Sequence, residues 1–126
     1  MFKRTTALIV SATLALCLAG TALADSTAWI RVINVKTENV SAYMQQLDKG
    51  RAMMKRLGIN STLHVYRASF AGADAGAIVV TQEYPNWAAF ADAQAKTAAD
   101  AEFATWLKGL DSVRTITSDS LYRELM

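Results

Sequence analysis

Two segments of β character, residues 62–70 (TLHVYRASF) and 77–84 (AIVVTQEY), are joined by only AGADAG. That link is too short for a crossover, so the two strands form a hairpin. The hairpin is flanked on both sides by helix-type stripes. Before it, Val40, Tyr43, Met44, Leu47, Met54 and Leu57 recur at helical spacing. After it, Trp87, Phe90, Ala91, Gln94 and Ala98 give one helical face, and Phe103, Trp106, Leu107 and Leu110 continue it. A strand at residues 28–36 (AWIRVINVK) precedes the first stripe, and VRTIT at 113–117 follows the last, with a resumption at 121–125. The order β-α-β-β-α-β predicts an α+β, ferredoxin-like domain: a four-stranded antiparallel sheet with two helices on one face.

Local signals set the expected element ends. Thr37 or Asn39 caps the first helix and Gly58 closes it; Asn86 and Asp100 are cap residues later in the chain. Asp100 leaves open whether the second helical region is one bent helix or two short ones. Gly50 interrupts the first stripe at a cost of about 1 kcal/mol relative to alanine. A close approach of backbone to sheet accounts for it. Residues 28–36 are largely apolar on both faces, which predicts a central strand. The helices need only one sheet face, and the other still carries large apolar groups. That pattern predicts a homodimer with sheets packed face to face.

Residues 1–24 read as an export leader. Lys3 and Arg4 precede an uncharged run over residues 5–20, and Ala22-Leu23-Ala24 offers a small-x-small cleavage site. The reading is a periplasmic or secreted protein, cleaved after Ala24, with one domain over residues 25–126. The apolar run falls short of the about 20 residues of a membrane helix, so no stable insertion is expected after cleavage. The chain has 13 Lys+Arg against 11 Asp+Glu, and Lys3 and Arg4 leave with the leader. What remains is balanced, which gives no footing for nucleic acid as a partner. Cys17 is the only cysteine and also falls in the leader. Leu16 before it fits a lipidation signal poorly. The domain therefore has no disulfide, no thiol nucleophile and no cysteine metal site.

The segments AWIRVINVK, AIVVTQEY and above all EYPNWAAFADAQAKTAAD resemble the dimeric α/β-barrel superfamily, with its antibiotic-biosynthesis-monooxygenase-like and NIPSNAP-like small domains. The resemblance implies two sheets paired into a barrel and a small cavity in each protomer. It also implies a range of roles, from cofactor-free oxygenases and isomerases to haem proteins and domains without assigned activity. No family catalytic motif maps onto numbered positions here.

His64 is the only histidine, and hence the only side chain whose ordinary pKa lies near neutrality. With Tyr66 on the same strand face it is the candidate proton-transfer pair. His64 is also the candidate single axial ligand for a haem; no metal site is expected otherwise. Against these stands a surface histidine without chemistry. Trp29, Arg31, Tyr66 and Tyr84 form the second constellation. With His64 they give the expected ligand set, aromatic walls and an arginine for a small apolar or aromatic molecule. The competing reading is a dimer core with a salt-bridged rim.

Overall fold

The structure is a computed structural model and describes residues 26–70 and 72–126. The expected leader at 1–24 lies outside the described residues. The elements are β1 (Trp29–Lys36), α1 (Val40–Arg56), β2 (Thr62–Arg67), a single 3₁₀ turn (Gly72–Asp74), β3 (Ile78–Tyr84), α2 (Trp87–Ala98), α3 (Ala101–Leu110) and β4 (Thr115–Arg123). The strands form one antiparallel sheet in the order β2-β3-β1-β4, the ferredoxin-like arrangement with its second helix divided in two. β1 is central, as its two apolar faces require. No helix among the described residues is long and apolar enough to cross a membrane.

Side-chain caps set where each helix begins. Asn39 Oδ1 accepts from the Ala42 N–H at 3.0 Å, Asn86 Oδ1 from Ala89 at 2.8 Å, and Asp100 Oδ2 from Phe103 at 2.9 Å. Thr37 is not the cap of α1. Its hydroxyl donates to the Val113 carbonyl at 2.6 Å and ties the β1–α1 turn to the entry of β4. Gly58 stands just past α1 with φ 67°, the left-handed conformation that glycine adopts without penalty. Asp100 also receives Arg56 at 2.8 Å, so the carboxylate that starts α3 is held by the end of α1. Arg56 reaches Glu102 as well, at 3.1 Å.

Strand alternation divides the sheet into two faces. Ile33 and Val35 of β1, Leu63 and Val65 of β2, and Ile78 and Val80 of β3 face the helices. They pack with Tyr43, Leu47 and Leu110 into the core. β2 ends at Arg67 instead of running to Phe70. The hairpin turn takes over there, with Gly76 N–H bonded to the Ala68 carbonyl, and leaves Phe70 fully exposed. α2 also departs from its expected face: Ala91, Gln94 and Ala98 are exposed and Ala93 is buried. The inward line is Phe90, Ala93 and Thr97, spaced by three and four, with its phase set by the Asn86 cap.

Gly50 is buried, but its close neighbour is a helix, not the sheet. A Cβ at this position would lie 2.4 Å from Cζ2 and 2.7 Å from Cη2 of Trp106 on α3. The indole is fixed in turn, because its N–H donates to the Gln46 carbonyl at 2.9 Å.

Candidate functional site

Between the helix-facing side of the sheet and helices α1 and α3 lies a cavity of about 370 Å³. Its walls are mainly apolar: Leu47 and Met54 from α1, Ile33, Leu63 and Val80 from the sheet, and Phe103, Trp106 and Leu107 from α3. Its polar lining is Arg31, Gln82, Lys108, Asp111 and Arg114. The cavity is partly open to solvent at Leu107, Lys108 and Asp111, and a mainly apolar cleft with a few convergent polar groups is the ordinary form of a small-molecule site. A larger hollow of about 930 Å³ lies between α1 and α3, but it is a surface groove whose lining includes exposed Lys49, Arg56, Glu102, Thr105 and Ser112.

Arg31 organises the polar end. Its Nε donates to Asp119 Oδ1 at 2.9 Å and its Nη2 to Oδ2 at 2.6 Å, a bidentate pair across β1 and β4. Asp119 reaches this face because β4 carries a bulge against Asn34 and Val35, which lets Ile116 and Asp119 both face the helices. The hydrogen bond from Arg31 holds the Asp119 carboxyl below its ordinary pKa; desolvation opposes this, and the charges of Arg31 and Arg114 reinforce it. The same bond raises Arg31. Arg114 extends from just before β4, and its Nη1 donates to the Tyr43 hydroxyl at 3.2 Å. Gln82 Nε2 donates to Ser61 Oγ and Met54 Sδ, each at 3.1 Å.

A depressed carboxyl contributes stability above its unfolded pKa of about 3.9 and loses it as pH falls through the folded value. Asp119→Asn is therefore expected to lower the melting temperature at pH 7. It should also remove part of the decline expected below about pH 4. Thermal melts from neutral to acid pH check this, and an acid limb identical to that of the parent would show the pair to be without effect. Both partners are about one-third exposed, so solvent screening keeps the contribution modest.

The five residues expected to share one ligand site do not share one face. Trp29, Arg31 and Tyr84 face the helices, whereas His64 and Tyr66 lie on the outer side. The cause is the β2–β3 register: Leu63 stands opposite Gln82 and His64 opposite Thr81, so the even residues of β2 point away from the helices. His64 and Tyr66 are both exposed, with ring centroids 6.1 Å apart. Of the other three, only Arg31 lines the cavity. Trp29 packs edge-on against Trp87 at 4.9 Å, and Tyr84 against Phe90 at 5.2 Å, which forms an aromatic cluster between the strand ends and α2. Burial pushes the Tyr84 hydroxyl up to about 12, against the pull of Arg31, so it is a donor and not a base at neutral pH.

Haem does not fit the cavity through His64, because that histidine is on the other side of the sheet. Among the described residues no group of three or more His, Cys, Asp and Glu side chains is placed to hold a metal ion. Asp119, Arg114, Gln82 and the α3 wall were not among the expected site residues. The α3 wall shows in sequence only as core spacing, and Asp119 is hidden by the bulge.

No protein-family model and no curated protein sequence matches this chain. Solved structures do. A NIPSNAP family protein from Agrobacterium tumefaciens strain C58 superposes with a TM-score of 0.60 at 14% identity, over 79% of this chain and 84% of that one. SnoaB, a cofactor-independent oxygenase from Streptomyces nogalater, also gives 0.60 at 14% identity, over 79% of this chain and 95% of its own. A SnoaB variant gives 0.53 at 16% identity. At such identities the likeness is one of fold: the chain shares the ferredoxin-like α+β fold of these structures.

Proposed function

We propose that this chain is an exported, periplasmic or secreted protein that pairs with itself and binds a small, partly apolar molecule in the cavity beneath α1 and α3. The observation that carries the reading is the cavity itself: about 370 Å³, with apolar walls and one arginine-bearing end. Its size falls within the roughly 300–1,000 Å³ of small-molecule sites. Pairing is supported by the outer sheet face, where Ile30, Val32, Tyr66, Val79 and Tyr122 lie on the side the helices leave uncovered. In such a dimer His64 belongs to the interface region and not to the cavity. The export leader over residues 1–24 supports the location.

Native mass spectrometry of the mature protein tests this reading. The expected spectrum is a dimer that retains a small-molecule mass, and Met54→Trp, which fills the cavity from α1, should reduce retention about tenfold. A monomer at micromolar concentration argues against pairing. A dimer that neither retains nor takes up any small molecule leaves a purely structural role.

The likeness to SnoaB favours a second reading, cofactor-free oxygenation in the same cavity. Arg31 and Arg114 would then stabilise an enolate or phenolate. The expected proton-transfer candidates, His64 and Tyr66, have no access to that cavity within the protomer. Oxygen consumption that survives His64→Ala is the result this second reading requires.

A further inference from the structure

Resting on the cavity reading, we propose that the ligand is an amphipathic monoanion: an apolar body with one carboxylate-type head, the head paired with Arg114 beside the Arg31–Asp119 bridge. Charge comes first. Arg31 and Arg114 both line the cavity, and Asp119 is the carboxylate set between their charges. Lys108 and Asp111 offset each other in sign. The polar end therefore keeps one uncompensated positive charge.

Donor accounting assigns that charge to Arg114. Arg31 spends Nε and Nη2 on Asp119. Arg114 gives Nη1 to a neutral acceptor, the Tyr43 hydroxyl, and its Nε is buried with no partner among the described residues. No carboxylate among the described residues lies within ion-pair distance of it. Asp119 acts on Arg114 only at longer range while bonded to Arg31, so a part-buried guanidinium with no carboxylate within ion-pair distance gains from an anion that completes it. Arg114 also borders the surface groove at the β1–α1 turn. The head group accordingly sits toward solvent, while the body reaches inward to Leu47, Leu63, Phe103 and Trp106. A doubly charged head would meet Asp119, which selects for a single charge.

A matched probe pair separates this proposal from the reading beneath it. Naphthoate and naphthylmethanol share a ring system and differ in charge. Calorimetric titration of the mature protein should show naphthoate binding about tenfold more tightly, as a charge-assisted hydrogen bond provides. Arg114→Gln should abolish that preference and leave the naphthylmethanol affinity in place, which also shows that the variant is folded. Equal affinity for the two probes overturns the anion proposal, as does a preference that survives Arg114→Gln, and in both cases the cavity reading stands. Binding of neither probe overturns both.

Discussion

Gly50→Ala is expected to destabilise the protein by about 2 kcal/mol, although alanine is the better helix former by about 1 kcal/mol. The added Cβ would stand 2.4 Å from Trp106, well inside any real contact. The obstacle is a rigid indole whose N–H is bonded to the Gln46 carbonyl. It cannot yield by bending, so the cost falls near the top of the overpacking range, about 3 kcal/mol, before the helix gain offsets part of it. In a domain of this size the melting temperature should fall by roughly 10 °C. Chemical denaturation of a double-mutant cycle isolates the cause. In a Trp106→Leu background, Gly50→Ala should reverse sign and become stabilising. If it stays destabilising there, the clash with Trp106 is not its origin.

Tyr43→Ala should cost more, about 3–5 kcal/mol, the range for truncating a large buried aromatic. Tyr43 is 0% exposed and packs at the centre of the core with Val35, Leu47, Ile78, Val80 and Leu110. Its hydroxyl has a separate task as acceptor for Arg114, whose guanidinium carbon stands 5.8 Å from the ring centroid. Tyr43→Phe removes only the acceptor and should cost about 1 kcal/mol. Urea denaturation of the two variants measures the gap. Equal losses would mean that the hydroxyl, not the packing of the ring, accounts for the stability at this position.

Strand and helix order were legible because each element carries its own period. Ile33 and Val35 alternate with Val32 and Asn34, and Tyr43, Leu47 and Met54 mark one side of α1. The caps at Asn86 and Asp100 were legible because Asn and Asp satisfy exposed helix N–H groups whatever the tertiary context. How strands combine was not. β1 and β2 never touch; β3 lies between them, and its register alone decides whether Arg31 shares a face with His64 or with Leu63. Both faces of β2 carry an apolar or aromatic group, so its own alternation could not break the tie. Gly50 announced a close approach but could not name Trp106, which lies beyond two intervening strands in the chain. Asp119 was invisible for a different reason: alternation counted from Ile116 places it on the wrong face unless the bulge is known.

That bulge has a further consequence. Along β4, Ile116 pairs with Val35 and Ser118 with Asn34, so Thr117 is the residue the ladder does not count. Deleting it would leave Ser118 opposite Asn34 and Asp119 on the side of Arg31. The fold thus has one residue of slack, and a one-residue deletion nearby can be absorbed without turning any neighbour over. The slack has its own use. Among the described strands β4 is an edge, and a regular edge is a template on which other chains can add. A kink with an extra residue spoils that template. Losing Thr117 would keep its neighbours on their faces at the cost of its hydroxyl's hydrogen bond to the Asn34 carbonyl at 3.2 Å, and it would restore a regular edge open to other chains.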